Sequence, residues 1–317
     1  MANIALLNRC NLKCPYCFAS SYTGSEGEDI SEEAFEKALA FVANDREVGL
    51  IGGEPFLHKK INDFLEELKF DARFFRVTIY TNGIFIENSI GLLTDRKFNL
   101  LINVNSRRDI GEKYFEKLKN NIGALLYVMP KDRITLGINV YEENQDFSDF
   151  LEVVNEYGFK KIRVSLVIPH DKSEGAMAYF ARMKGTLLSL YQELKTLGVS
   201  PCYDCNVIPE CVFTKEEREL LQTLSFESEY EREIFLGKRP VCSPIVDIYP
   251  DLTATRCFGM YDSERVKITD FKNIDDLKNY FFMKIDSKLV HNLSKPECQS
   301  CYKYNTFGCF GGCLCYK

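Results

Sequence analysis

No stretch of this 317-residue sequence carries the roughly 20 consecutive apolar residues of a membrane span. Its opening, MANIALLNRCN, has neither the basic start nor the long apolar run of a secretory signal. A basic excess is also missing. Lys and Arg number 40 against 46 Asp and Glu, a formal net charge of -6, whereas a phosphate binder normally shows a positive surplus or stripe. These absences argue against a membrane or nucleic-acid partner and leave the cytoplasm as the expected compartment. Histidine is scarce, with only His58, His170 and His291, so mixed Cys/His zinc sites are poorly supplied. No internal repeat, low-complexity tract or long charge run breaks the chain.

What is plentiful is cysteine. The 13 residues fall in groups: Cys10, Cys14, Cys17; Cys202, Cys205, Cys211; Cys242, Cys257; and Cys298, Cys301, Cys309, Cys313, Cys315. A disulfide-built secreted protein is usually shorter and has an even count. In a reducing compartment, thiols spaced this closely read as soft-metal ligands, for zinc or for iron–sulfur clusters. The remaining composition, 45% hydrophobic and 27% charged, is ordinary for a chain that buries a core. The length suits one large domain and a smaller one.

Up to about Gly198, short apolar runs alternate with amphipathic stretches. Strands are expected at 3–9, 47–53, 76–83, 99–105, 133–140 and 161–168. Between them, SEEAFEKALAFVAND offers Ser31 as an N-cap with Glu32 and Glu33 in the first turn, and FSDFLEVVNEYGF offers Gly158 as a C-cap. Six βα repeats with near-continuously apolar strands imply parallel strands covered on both sides, as in a partial (β/α)6 barrel of the TIM type. Ligand sites in such folds gather at the C-terminal strand ends. There stand the Cys10–Cys17 loop, GGEP (Gly52–Pro55), YTNG (Tyr80–Gly83) and the polar trio Asn103, Asn105, Ser106. After the helical stretch 175–198 the strands shorten and cysteines return. The expected domains are 1–198 and 199–317, the second small and cysteine-rich.

Three thiolates in eight residues are an awkward number, since a structural zinc takes four ligands and a disulfide two. They suffice for three irons of a [4Fe–4S] cube, leaving one iron for a small molecule. Glycines in GGEP permit close backbone approach, and Glu54 supplies an acceptor for an ammonium group. A ligand with an amine and a carboxylate would fit between the motifs. Spacing alone also leaves open a zinc knuckle completed elsewhere, and a mere tight turn at GGEP.

Cys-x3-Cys-x-aromatic-Cys after the first strand, with GGEP after the second, resembles the radical SAM superfamily. The resemblance implies a partial (β/α)6 barrel over the first ~200 residues. It also implies a cluster that passes an electron to S-adenosylmethionine, giving methionine and a 5′-deoxyadenosyl radical. It would place Cys10, Cys14 and Cys17 on the cluster, Tyr16 near the adenine, and Gly52, Gly53 and Glu54 at the methionyl amine. NVNS stands where SLDG is common, so Asn103 and Asn105 occupy the positions of Ser and Asp. The tail ECQSCYKYNTFGCFGGCLCYK, with Cys242 and Cys257 around a hairpin turn at Pro250–Asp251, resembles the SPASM extension of these enzymes, or its shorter twitch relative. Both carry auxiliary clusters. Here Leu252 replaces the usual glycine, and the usual spacing of five residues is seven.

By that pattern, Cys242, Cys257, Cys313 and either Cys205 or Cys211 would hold one auxiliary cluster. Cys298, Cys301, Cys309 and Cys315 would hold the other. One auxiliary cluster with structural thiols, or zinc sites, are the alternatives. A spare thiol in CYDCNVIPEC would suit hydrogen return, as in radical epimerases. His58, just past GGEP, reads as a capping or solvent-facing residue on the next helix, with contact to the cofactor as the alternative. His170 at the end of strand six and Arg163, facing either a substrate carboxylate or solvent, are minor candidates for substrate contact.

The resemblance implies an enzyme acting on a peptide, by crosslinking or another net oxidation, with electrons from a flavodoxin- or ferredoxin-type donor. A small metabolite as substrate, and a non-catalytic iron–sulfur or zinc module, are the rival readings. Strand one lies within a few residues of the start, so no separate leader-binding domain is expected before it.

Overall fold

The computed structural model describes residues 1–17, 19–20, 28–169, 171–203, 205–226, 228–238, 242, 244–261 and 263–317; His170 lies outside them. Every apolar run expected as a strand forms one. These are β1 (Ala2–Ala5), β2 (Glu47–Ile51), β3 (Arg76–Thr81), β4 (Phe98–Asn103), β5 (Ile134–Val140) and β6 (Lys161–Leu166). A further strand, β7 (Ser200–Tyr203), pairs parallel with β6. Three short strands follow, β8 (Asp247–Ile248), β9 (Thr253–Thr255) and β10 (Val266–Lys267). The chain divides into two compact units, Met1–Thr135 with Pro244–Phe282, and Leu136–Ser243 with Met283–Lys317.

In the first unit the strand order is β10-β9-β8-β1-β2-β3-β4. β8, β1, β2, β3 and β4 run parallel, and β8, β9 and β10 form an antiparallel turn-back. The register puts Ile4, Val48, Leu50, Val77, Ile79, Leu100 and Ile102 on one face, where all are fully buried. That face takes the helices α1 (Glu32–Val42) and α2 (Ile61–Phe70). Ser31 caps α1 as expected, its hydroxyl accepting from the Ala34 N–H at 3.1 Å. Phe35 of α1 stacks on Phe64 of α2 at 4.1 Å between centroids. Burying each such ring contributes about 1.5–3 kcal/mol. The opposite face of the sheet is polar, with Asn3, Thr78, Asn99 and Asp247 in register around Gly49.

Gly49 has a packing reason. A Cβ there would lie 2.0 Å from Asn3 Oδ1. The Asn3 amide is fixed by donating to Asp247 at 2.7 Å, so it cannot turn away.

The second unit carries β5, β6 and β7 in parallel order, with Leu136, Ile138, Val140, Ile162, Val164 and Leu166 on the buried face. Arg163 shares the other face with Asn139, Ser165 and Cys202. Its helices include α3 (Ser148–Glu156) and α4 (Ala176–Leu197). Gly158 adopts φ +64° just beyond α3, and the Phe159 N–H reaches back to the Val154 carbonyl at 3.0 Å, the glycine-ended turn the sequence implies.

Candidate functional site

The first unit brings the four loops at the ends of β1–β4 together, and named hydrogen bonds tie them. The loop after β1 is fastened at its start. The Arg9 guanidinium grips the Asp29 carboxylate with both oxygens at 2.6 Å, and Leu7 pairs with Asp29 as an isolated bridge. Cys10, Cys14 and Cys17 follow, all half-buried and none in a disulfide. The Leu12 N–H points at Cys10 Sγ, 3.4 Å away. Burial pushes the Cys10 thiol up to about 12 and the Cys14 thiol up to about 11, with neighbouring negative groups adding to it. Such thiols stay protonated until a cation compensates their charge. Three soft donors on one loop fit an iron–sulfur cluster with an open position. Among the described residues, no group of three or more His, Cys, Asp or Glu stands close enough to hold a single metal ion.

GGEP lies directly against this loop. The Gly53 N–H donates to the Leu7 carbonyl and the Glu54 N–H to the Arg9 carbonyl, both at 2.9 Å. A Cβ on Gly53 would sit 1.9 Å from the Arg9 oxygen, and Gly52 has φ +143° with its own Cβ position 2.4 Å from the Leu7 oxygen. Both glycines are thus demanded by backbone crossing backbone. Glu54 is buried, 1% exposed, and its carboxylate turns toward the end of β3. It accepts from Thr81 Oγ1 at 2.7 Å, the Asn82 N–H at 2.8 Å and the Phe56 N–H at 3.1 Å. Burial raises its pKa to about 7 against the pull of these donors.

The remaining loops close the ring. Asn82 Nδ2 donates to Asn11 Oδ1 at 2.9 Å, linking YTNG to the cysteine loop. The Tyr16 hydroxyl donates to Asn105 Oδ1, and Cys14 Sγ lies 3.9 Å from the same oxygen. Asn105 Nδ2 approaches the Asn103 carbonyl at 3.5 Å, while Asn103 Oδ1 is buried with no hydrogen-bond partner. Asn105 therefore positions the aromatic of the motif, and Asn103 holds an acceptor in reserve.

His58 is not solvent-facing. It is 4% exposed, with Nε2 3.2 Å from the Ile30 carbonyl, Nδ1 accepting from the Lys60 N–H, and its ring against Phe64. Burial holds its pKa below the usual histidine value, so it fastens the segment after GGEP in neutral form. Arg9, Asp29 and Asn11 complete the site with no local signal in the sequence, together with Thr81 and Asn82 of YTNG. YTNG is recognisable in the sequence as a strand-end motif, but nothing local in it reveals that its Thr and Asn serve the Glu54 carboxylate.

The later cysteines divide by unit. Cys257 belongs to the first, just after β9, and in the same unit Leu252 takes φ +60° in the turn between β8 and β9. Cys202, Cys205, Cys211, Cys242, Cys298, Cys301, Cys309, Cys313 and Cys315 all belong to the second. Cys298, Cys313 and Cys315 are buried and Cys211 is exposed. Cys313 and Cys315 stand with their sulfurs 3.1 Å apart. No helix among the described residues is long and apolar enough to cross a membrane.

Comparison with known proteins identifies the family. The family model of the radical SAM superfamily matches residues 4–170, more than half of the chain. A probable GTP 3′,8-cyclase of Methanocaldococcus jannaschii is 25% identical over 175 residues, 49% of this chain and 55% of that protein. The antilisterial bacteriocin subtilosin biosynthesis protein AlbA of Bacillus subtilis is 23% identical over 171 residues, 50% of this chain and 37% of that protein. The chain thus spans about half or less of the length of these relatives. Among solved structures, native anSMEcpe with bound AdoMet and the Kp18Cys peptide is 19% identical at TM-score 0.67, covering 98% of this chain and 88% of that one. That likeness shows the fold, mostly parallel strands with helices as in the expected partial barrel, running on through a cysteine-rich tail. The chain belongs to the radical SAM superfamily and is a radical SAM enzyme.

Proposed function

We propose that this enzyme modifies a peptide, by crosslinking or another net oxidation, as a maturase of ribosomally made precursors. The observation that carries the reading is the likeness over 98% of the chain to an enzyme solved with AdoMet and a peptide. The relative that serves subtilosin biosynthesis supports it from the sequence side.

In this reading Cys10, Cys14 and Cys17 hold a [4Fe–4S] cluster that, when bound and reduced, supplies the electron for SAM cleavage to methionine and a 5′-deoxyadenosyl radical. Gly52 and Gly53 let the GGEP backbone pack against the cysteine loop, which sets the edge where the SAM methionyl end would lie. Glu54 compensates its ammonium group from a buried position. Tyr16, held by Asn105, sets the wall beside the adenine, and Asn103 Oδ1 offers an acceptor there. The catalytic part is 1–198, and 199–317 is an auxiliary part with one or two further clusters. There, such clusters would supply an acceptor for the electron released by net oxidation, or a binding point for the substrate. A flavodoxin- or ferredoxin-type donor supplies the reducing electron, in a reducing cytoplasm where thirteen thiols survive as thiols.

The test is SAM cleavage with a co-encoded precursor peptide, against GTP and other metabolites. A tenfold stronger response to the peptide, about 1.4 kcal/mol of preference, supports the reading. A response to GTP alone replaces it with the small-metabolite reading, which the GTP 3′,8-cyclase relative favours.

A further inference from the structure

The motif pattern of the family groups the tail cysteines with Cys315. The second unit arranges them differently. Cys211 sits in a tight turn, Glu210–Val212, that is anchored from several sides. The Glu210 N–H donates to the Gly237 carbonyl at 3.1 Å, and Gly237 has φ +64°. A Cβ at Gly237 would lie 2.1 Å from the Ile208 oxygen, so only glycine lets the turn pack there. Arg218 donates to the Phe213 carbonyl at 2.8 Å, and Lys184 to the Val212 carbonyl at 3.3 Å. The Glu210 carboxylate pairs with Lys303 at 2.5 Å, two residues past Cys301.

This ion pair brings Cys211 to the tail. Cys211 lies within electrostatic reach of Cys298 and Cys301, and Cys309 within reach of Cys211, Cys298 and Cys301. Cys298 and Cys301 are themselves joined by a turn, the Cys301 N–H donating to the Cys298 carbonyl at 3.1 Å. The Gly311 N–H points at Cys309 Sγ at 3.2 Å, a backbone donor of the kind that stabilises a ligating thiolate. Two cations border the group: Lys295 acts on Cys211, and Lys317 on Cys298 and Cys309. Four thiolates around a cluster carry net negative charge, which such lysines offset.

Cys315 keeps other company. Its sulfur is 3.1 Å from that of Cys313, which also contacts Cys242 and lies near Cys205. A second tie fixes this set, because Asn206, beside Cys205, donates to the hydroxyl of Tyr316, beside Cys315, at 3.2 Å.

We infer that Cys211 is the fourth protein ligand of an iron–sulfur cluster held by Cys298, Cys301 and Cys309, and that Cys315 serves a separate site with Cys205, Cys242 and Cys313. The inference rests on the auxiliary-cluster reading and exchanges the ligands that the family pattern would assign. The second unit then supplies all eight thiols from its own residues, leaving Cys202 and Cys257 outside both sets.

The test uses the full chain, reconstituted anaerobically, with iron, sulfide and the EPR of the reduced protein as readouts. Wild type should hold about twelve irons, and Cys211→Ala and Cys301→Ala should each lose about four. The double variant Cys211→Ala/Cys301→Ala should lose no more than either alone, since the two residues serve one cluster. Cys301→Ala/Cys315→Ala should lose about eight. Cys211→Ser, which keeps the fold and an oxygen donor, should shift the EPR signal of the cluster that Cys301→Ala removes and no other. The assignment is overturned if the Cys211/Cys301 pair is additive, or if Cys211→Ser leaves every signal unchanged. A wild type with about four irons in all sinks the auxiliary reading itself. That outcome is told apart from a wrong assignment by wild-type iron alone.

Discussion

Glu54 gives the site a pH-dependent weakness that can be measured. Its carboxyl is fully buried, bound by Thr81, Asn82 and Phe56, and its pKa stands at about 7 rather than 4.5. Between these values the folded protein holds a proton that the unfolded chain has lost. Stability therefore falls as pH rises through the window and levels off above about 7. At roughly 1.4 kcal/mol per tenfold, the loss between pH 5 and pH 8 is on the order of 2–3 kcal/mol. Glu54→Gln keeps the shape but does not titrate, and it places one NH2 group against a donor at a constant cost of about 1–3 kcal/mol. The stability difference between wild type and Glu54→Gln, from urea unfolding of the metal-free protein at pH 5, 6, 7 and 8, should shrink by roughly 2–3 kcal/mol in favour of the variant. Other titrating groups cancel in the comparison. A difference that stays constant across this range, or one that grows in favour of wild type, refutes the account of Glu54 as a buried acid left uncompensated without its ligand.

Three further outcomes follow from the same geometry. If the SAM ammonium docks on Glu54, binding lowers its pKa, and calorimetry at pH 7 in buffers of different ionisation enthalpy should detect release of about half a proton per SAM. Gly53→Ala forces a Cβ to within 1.9 Å of the Arg9 oxygen, so the cysteine loop must shift, and iron bound near the N-terminus should drop by about four per chain while the tail iron stays. Leu252→Gly relieves a left-handed residue at φ +60° and should stabilise the β8–β9 turn by about 1 kcal/mol, visible as a rise in Tm.

The strands were readable because β1–β6 are short aliphatic runs, separated by helices whose caps and apolar spacing are local signals. Ser31 and Gly158 behave as their sequence context requires. β7 was not anticipated. Ser200–Tyr203 contains Pro201 and Cys202 and reads locally as the start of a cysteine-rich segment, yet it pairs with β6. At the mouth, the short spacing of Cys10, Cys14 and Cys17 and the adjacent glycines were legible because their chemistry is rare. The partners of Glu54 were not. Thr81 and Asn82 are 27 and 28 residues away, and only the parallel register of β2 and β3 brings them to its carboxylate. The glycines were read as room for a ligand, whereas at Gly52 and Gly53 the closest neighbours are carbonyl oxygens of the strand-one loop. The tail ligands are obscured for the same reason: the Glu210–Lys303 pair joins segments 93 residues apart, and no spacing rule reports it.

The central claim is that Cys10, Cys14 and Cys17 hold the cluster that cleaves SAM. The most direct measurement compares wild type with the Cys10→Ala/Cys14→Ala/Cys17→Ala variant for iron per chain and for 5′-deoxyadenosine formed with SAM and a strong reductant. The account predicts that the variant loses about four irons, keeps its tail iron, and forms no 5′-deoxyadenosine. A variant that keeps its full iron or still cleaves SAM would contradict it.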